Sequence, residues 1–253
     1  MQSTGTASRR EPALNIPLPI LAWIALLVAI QACRALLSAK ADLQLFIETA
    51  FVPAPWSIAF GVATPEGVLA SVSAGETTSE GTLRVLLAQM FVQESPRPWS
   101  LVTYSLLHGS WGHLAINGLM LVVFGSSVVR RVGPLPSLAL WLAAAIGGAL
   151  AQWLYDPKGV DFVIGASASV SGFMAAAATF VFARPGEGRW DFLTNRGALT
   201  LLGLWFAANL GLGLVLAPLG VADGDVAWPS HIGGLLVGLV LYPLLAPRLG
   251  TSI

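Results

Sequence analysis

The chain carries little charge. Only 10% of its 253 residues are Asp, Glu, Lys or Arg, whereas 55% are hydrophobic and the mean hydropathy is +0.75. Soluble domains contain about 25% charged residues, so this composition excludes an ordinary water-soluble fold. The formal net charge of zero gives no reason to expect nucleic acid as a partner. The single cysteine, Cys33, cannot form an internal disulfide and is expected to pack in an apolar run.

Six apolar runs are long enough to cross a hydrocarbon core of about 30 Å, which takes about 20 helical residues. None has the even alternation of a barrel strand, and lipid admits only helices or closed barrels. We therefore predict an all-α membrane protein, with a six-span domain over residues 17–247 between short tails at 1–16 and 248–253. The predicted spans are Pro17–Leu37, Leu101–Val129, Leu135–Leu154, Phe162–Ala183, Gly197–Ala217 and Val226–Ala246.

A long segment, about 41–100, separates the first two predicted spans. Its apolar stretches are interrupted by Glu48, Pro53, Pro55 and several glycines, so it cannot cross the membrane. Helical spacing over Leu83–Val92 predicts one short interfacial helix. The rest of the segment is predicted to be a long outer loop.

The basic residues predict the orientation of the spans. One side of the predicted bundle has eight basic and three acidic residues, and the other has five basic and ten acidic. Both termini are therefore expected in the cytoplasm. The composition and simplicity of the chain favour a bacterial inner membrane as its location. The first span, between Arg9-Arg10 and Ala39-Lys40-Ala41, also loosely resembles a cleavable signal peptide, but its apolar run is long for one.

The chain has only three histidines, His108, His113 and His231, and all three fall within predicted spans. Ionisable residues are costly in a bilayer and by default mark a functional interior site. Spans two, four and six run in the same direction, and counting from their starts places Ser167 and His231 at a similar depth, about 7 Å below the outer interface. His113 and Asn117 are four residues apart and share a helix face, from which His108 is displaced.

Glycines on the sixth span would allow it to approach the fourth span closely. Gly234 and Gly238 lie on the face of His231 in a small-xxx-small pattern. A hydrogen-bonded histidine can take the proton of a serine and activate it for acyl transfer. Because neither the fourth nor the sixth span contains Asp or Glu, the sequence predicts a dyad of Ser167 and His231. Asn117, His113 and the backbone N–H of Ser167 are candidate donors to a developing oxyanion.

Three motifs occur in spans two, four and six: His108-Gly-Ser-Trp-Gly-His113-Leu-Ala-Ile-Asn117, Gly165-Ala-Ser167-Ala168 and Ser230-His231-Ile-Gly233-Gly234. In order and spacing they resemble the signature of the rhomboid family of intramembrane serine proteases. The resemblance implies a six-helix bundle with Ser167 as nucleophile and His231 as general base. It assigns oxyanion stabilisation to His113 and Asn117. His108 and Gly165 would support the site.

The resemblance further implies a serine endopeptidase that cuts single-span membrane proteins in or near their spans, with no cofactor and no metal. Three positions depart from the family pattern. Ala168 stands where a glycine is usual, and its methyl group is expected to crowd a tight turn. Trp99-Ser100 replaces a common Trp-Arg pair, for which Arg97 is a candidate substitute. Ser171 occupies a position where some members carry an aromatic residue stacked on the histidine.

Several alternative functions compete with this interpretation. A catalytically silent rhomboid-like protein that only holds membrane clients remains open. A metal or haem site built from the histidines is disfavoured because no cysteine or carboxylate lies nearby. Gly165-Ala166-Ser167 is half of a soluble-hydrolase motif, but Ser169 stands where its last glycine belongs. Ser169 and Ser171 are expected to be structural serines that bond to backbone.

Overall fold

A computed structural model describes residues 15–73, 79–184, 186–211 and 227–246. Within these ranges the fold is helical, apart from one isolated antiparallel bridge between Phe51 and Val163. Most of both predicted tails, including Arg9, Arg10 and Arg248, and the predicted span ends at Ala217 and Val226 lie outside the described residues. The helices are α1 (Leu18–Ala35), α2 (Ala39–Thr49), α3 (Pro53–Ala59), α4 (Pro65–Ser73), α5 (Ser79–Phe91), α6 (Ser100–Thr103), α7 (Trp111–Met120), α8 (Ser126–Val132), α9 (Pro134–Tyr155), α10 (Ser167–Val181), α11 (Arg196–Gly211) and α12 (Trp228–Leu245).

Four helical segments of the described chain are long and apolar enough to cross a membrane. They are α1, α9, α12 and the continuous helix Trp111–Val132, in which a π-helical turn joins α7 to α8. Helices α10 and α11 are apolar but shorter. The predicted all-α membrane architecture is confirmed to this extent.

The second predicted span, Leu101–Val129, is broken near its start. Helix α6 and a 3₁₀ turn are followed by Leu107 in an extended conformation, and α7 begins only at Trp111. The break occurs because Ser110 caps α7: its hydroxyl accepts a hydrogen bond from the His113 N–H at 3.1 Å. His108 therefore lies in the connection before the helix, and its predicted place inside a span is wrong.

Helix α10, in the fourth predicted span, also begins later than predicted. It starts at Ser167 rather than at Phe162, so Ser167 is its first residue and is not about five residues inside it. The preceding turn is set by Gly165, whose φ of +116° is a backbone conformation that residues with a side chain rarely adopt. Twelve consecutive residues, Ala168–Thr179, are buried, which makes α10 the central helix of the bundle.

The segment predicted as a long outer loop contains four helices, α2 to α5. Serine and proline begin three of them: Ser38 caps α2, while Pro53 and Pro65 are the first residues of α3 and α4. The predicted interfacial helix is present as α5, which begins earlier, at Ser79. These four helices share an apolar core, which also includes Val160 from the connection between α9 and α10.

Helix α12 is wedged between α9 and α10 through its glycines. A methyl group on Gly234 would overlap the carbonyl of Ala168, and one on Gly238 would overlap the carbonyl of Gly172. Gly233 meets the backbone of α9 in the same way. The predicted close approach of the fourth and sixth spans is therefore confirmed, and it depends on backbone contact.

Basic residues gather at one end of the bundle. The Arg131 guanidinium at the end of α8 lies 5.0 Å above the ring of Phe180 in α10. Nη2 of Arg189, in the connection from α10 to α11, donates to the carbonyl of Ala246 after α12 at 3.4 Å. Helices α2 to α5 lie at the opposite end, where Trp153 near the end of α9 contacts α3. This separation agrees with the charge asymmetry of the sequence among the described residues.

Candidate active site

Ser167 and His113 meet at the turn of Gly165. A Cβ built on Gly165 would lie 2.8 Å from both Cε1 and Nε2 of His113 and 3.7 Å from Oγ of Ser167. The absence of a side chain at this position therefore leaves room for the imidazole beside the serine hydroxyl. Both side chains are half-buried, so the site remains open to a reactant.

His231 reaches the same region from α12. It lies one turn before Gly234, on the helix face that contacts α10, and Gly234 meets the carbonyl of Ala168, the residue after Ser167. His231 is half-buried and lies close enough to His113 for the two side chains to interact electrostatically. The fold thus brings the predicted serine and two of the predicted histidines to one place.

Asn117 and His108 occupy the edge of this cluster. Nδ2 of Asn117 donates to the carbonyl of His113 at 3.0 Å, which leaves the second amide hydrogen for another acceptor. His108 is fully buried, its ring centroid lies 5.1 Å from that of His113, and its Nε2 accepts the N–H of Ala166 at 3.4 Å. His108 therefore contacts the backbone immediately before Ser167. Among the described residues, no group of three His, Cys, Asp or Glu side chains could hold a metal ion.

The site lies below one end of the bundle. Ala168 packs against Gly148, and Gly172 against Ala144, so α9 and α10 are antiparallel neighbours. Helix α9 continues for seven residues beyond Gly148, to Tyr155. At 1.5 Å per residue, Ser167 is about 10 Å below that end of α9. The non-helical backbone before Ser167 at this depth is enclosed by protein, as a bilayer requires.

The structure shows the surroundings of the three positions that depart from the family pattern. Ala168 lies inside α10 and the tight turn is at Gly165, so the expectation that the methyl group of Ala168 crowds this turn is wrong. Arg97 donates through Nε to Glu48 and through Nη2 to Glu94, both at 3.0 Å, and thereby ties the end of α2 to the connection after α5. Ser171 donates to the carbonyl of Ser167 at 2.8 Å.

Ser169 also has a structural bond, but it runs between helices. Its hydroxyl donates to the carbonyl of Trp141 in α9 at 2.9 Å, instead of bonding back to its own helix. The expectation that Ser169 and Ser171 are structural agrees with these contacts. Of the serines in this stretch, Ser167 alone borders the histidine cluster through the Gly165 turn.

Arg34, at the end of α1, was missed by the sequence analysis. Its Nη1 donates to the carbonyl of His108 at 2.6 Å and to Gln31 at 3.0 Å. Its Nε and Nη2 bind both carboxylate oxygens of Asp42, at 2.8 and 3.0 Å. The signal in the sequence was an arginine in the last turn of an apolar span, which requires a partner when it is buried.

Tyr104 was also missed. Its hydroxyl donates to the carbonyl of Ala145 in α9 at 2.8 Å, and its own carbonyl accepts the N–H of Gly165 at 3.0 Å. No periodicity marks this residue, because it lies in the 3₁₀ turn between α6 and α7. A buried tyrosine hydroxyl usually finds a partner, but the sequence does not indicate which one.

The Rhomboid domain family model matches residues 95–248, which is more than half of the chain and contains every candidate site residue. The chain belongs to the rhomboid family. The resemblance predicted from the three motifs is confirmed. The rhomboid match begins just before α6, so α1 to α5, with Arg34 and Asp42, precede it.

Three known proteins are similar to this rhomboid over part of their length. RHOMBOID-like protein 5 of Arabidopsis thaliana is 29% identical over 172 residues, which cover 67% of this chain and 52% of that protein. Rhomboid protease GlpG of Haemophilus influenzae is 27% identical over 151 residues, 59% of this chain and 71% of GlpG. Rhomboid protease GluP of Bacillus subtilis is 28% identical over 170 residues, 67% of this chain and 30% of GluP. The match spans only about half the length of the Arabidopsis relative.

Proposed function

We propose that this rhomboid is an intramembrane serine endopeptidase that hydrolyses peptide bonds in or near the transmembrane segments of single-span membrane proteins. Ser167 is the nucleophile and His231 is the general base. His113 and Asn117 stabilise the oxyanion, with support from His108 and Gly165. Two relatives bear the name rhomboid protease, and the family includes serine proteases.

The observation that carries the proposal is the glycine contact between α10 and α12. Gly234 brings the backbone of α12 against Ala168, so the His231 face opposes the start of α10. A serine side chain has one rotatable bond before its oxygen and reaches an imidazole on another helix only across such a short separation. His113 lies on the other side of the Gly165 turn. This arrangement leaves room for a substrate carbonyl between the Ser167 nucleophile and the oxyanion donors.

The chemistry follows from these positions. His231 takes the proton of Ser167 as Oγ attacks the substrate carbonyl, and the oxyanion that forms receives hydrogen bonds. Ser167 is the first residue of a 15-residue helix, so its N–H has no partner within the helix and points toward the developing negative charge. His231 then protonates the leaving amine, and water hydrolyses the acyl-enzyme by the same base.

The membrane arrangement is part of the proposal. Helices α10 and α11 complete a six-span bundle, with α10 only about 22 Å long and shielded from lipid by its neighbours. The basic residues at the end of α8 and in the connection from α10 to α11 face the cytoplasm, so both chain termini are cytoplasmic and α2 to α5 lie outside. A bacterial inner membrane is the proposed location.

The test uses purified protein in liposomes with a single-span substrate. Ser167→Ala and His231→Ala should each abolish cleavage, and the double variant should be no worse than either, because the two residues act as one unit. Asn117→Ala should lower turnover by about ten- to a thousandfold. A fluorophosphonate probe should label the wild type and Ser169→Ala, the matched serine control, but not Ser167→Ala.

Labelling that persists in Ser167→Ala would refute the assignment of the nucleophile. A folded wild-type protein that neither cleaves nor labels would instead favour the alternative, a catalytically silent rhomboid-like protein that holds membrane clients. Capture of an intact single-span protein would then identify that activity.

A further inference from the structure

A buried junction lies behind the proposed dyad, and the hydrolysis described above does not use it. Gly148 of α9 faces this junction. A Cβ built on Gly148 would lie 2.5 Å from Cβ of Ala168, 2.7 Å from Oη of Tyr104 and 2.8 Å from Oγ of Ser230. These three groups therefore meet in space that any other residue at position 148 would fill. We call the four residues the Gly148 junction.

The junction borders both members of the dyad. Ala168 directly follows Ser167 in α10, and Ser230 directly precedes His231 in α12. A movement of either helix at the junction would therefore also move a reacting side chain. The junction is buried, with Tyr104 only 1% and Ser230 only 2% exposed, so its groups cannot exchange their partners for bulk water.

Tyr104 joins the parts that surround the site. Its hydroxyl donates to the carbonyl of Ala145 at 2.8 Å, so its oxygen is left to accept the Ser230 hydroxyl, 3.4 Å away. Its main-chain carbonyl accepts the N–H of Gly165, two residues before Ser167. One residue thus bonds to α9, to α12 and to the turn that precedes the nucleophile.

We propose that Tyr104 is a positioning residue, whose hydroxyl acts through Ser230 to hold α12 at the distance from α10 that the Ser167 and His231 reaction requires. The inference rests on the proposed function. Tyr104 is enclosed behind the dyad, and its effect is on geometry. A misplacement of about 1 Å between reacting groups costs about a hundredfold in rate, so loss of one buried bond should be visible in turnover.

The experiment compares Tyr104→Phe, Ser230→Ala and the double variant in cleavage of a single-span substrate. Tyr104→Phe keeps the ring and removes only the hydroxyl. It should lower kcat about tenfold with KM unchanged, because the substrate surface is untouched. Ser230→Ala should have a similar effect, and the double variant should lose little more, as expected for two partners in one bond. The rate of fluorophosphonate labelling at Ser167 should fall in parallel.

The matched control is Tyr155→Phe, which removes the hydroxyl of an exposed tyrosine at the end of α9 and should leave kcat unchanged. Unchanged kcat and labelling in Tyr104→Phe, or additive losses in the double variant, would overturn the inference. So would a lower melting temperature with normal kcat per folded molecule, the result of a purely structural role. If Tyr104→Phe does not fold, Ser230→Ala decides by the same criteria. An inactive wild type would refute the proposed function and this inference together, whereas an active wild type with an unaffected Tyr104→Phe refutes only the inference.

Discussion

The helices around the proposed site and helices α2 to α5, which form the predicted outer segment, are held together by different interactions. Helix α12 meets α9 and α10 through Gly233, Gly234 and Gly238, so backbone lies against backbone. Helices α2 to α5 instead enclose an apolar core that includes Val68, Ala88 and Phe91. Ion pairs such as Arg97 with Glu48 lie around that core.

The difference reflects the solvent of each region. Lipid gives helices no hydrophobic reason to associate, so close van der Waals contact between small residues must hold them. In the proposed membrane arrangement, helices α2 to α5 lie outside the hydrocarbon core, where burial of apolar side chains stabilises them. The bundle should therefore tolerate added atoms poorly, while the outer segment should tolerate the loss of surface charges well.

The largest expected effect is that of Gly234→Ala. Its methyl group would overlap the carbonyl of Ala168, and a backbone carbonyl inside a helix cannot move aside. We expect turnover to fall by about a hundredfold or more and the free energy of unfolding by about 3 kcal/mol. Cleavage assays and thermal unfolding in detergent measure both.

The control for that variant is Gly203→Ala in α11, where an added Cβ has no neighbour within 4 Å. Removing a helix glycine there should leave turnover unchanged and raise stability by about 0.5 kcal/mol. Equal changes in turnover and stability in the two alanine variants would contradict the proposed importance of backbone contact at Gly234.

A smaller effect is expected when Arg34 is compared with Arg97. Arg34→Met would leave the His108 carbonyl and the carboxylate of Asp42 without a buried partner, at a cost of about 2 kcal/mol. It should also lower turnover, since His108 contacts the backbone before Ser167. Arg97→Met breaks pairs with more exposed glutamates and should cost about 1 kcal/mol or less, with normal turnover. Urea unfolding and cleavage rates compare the two; a greater cost for Arg97 would contradict the ranking.

The smallest effect is expected for Ala168→Gly. Because Ala168 lies within α10 and not in the turn, glycine should relieve no strain and should cost about 1 kcal/mol through lower helix propensity. Turnover should be retained. A gain in stability, measured by thermal unfolding, would show that the methyl group is compressed against Gly148.

The helices of the bundle and the site residues were largely predictable because lipid imposes long apolar runs and makes buried polar residues conspicuous. These rules predicted His113 and His231 as candidate site residues and the close glycine contact between α10 and α12. The start of α10 did not, since hydrophobicity continues from Phe162 through Ser167 while the backbone conformation changes at Gly165. Hydropathy shows which segments are apolar enough for a membrane, but it does not show where a helix begins.

The outer helices and the supporting contacts were not predictable for a different reason. Pro53 and Pro55 were interpreted as interruptions of apolar stretches in a loop, although Pro53 begins α3, and the cap at Ser38 was not predicted. Partners of Arg34 and Tyr104 depend on which distant segments the fold brings together. His108 was predicted in a span because the cap at Ser110 is a local bond that hydropathy does not register.

The bridge between Phe51 and Val163 bears on the order of folding. The two residues exchange backbone hydrogen bonds, at 3.2 and 2.9 Å, between chain segments separated by α3 to α9. Closing a contact between residues so distant along the chain carries a loop-closure cost. A chain that has inserted its helices without closing this bridge would have a complete bundle and an unfinished connection before Ser167. Maturation of the site would then be a step separate from membrane insertion.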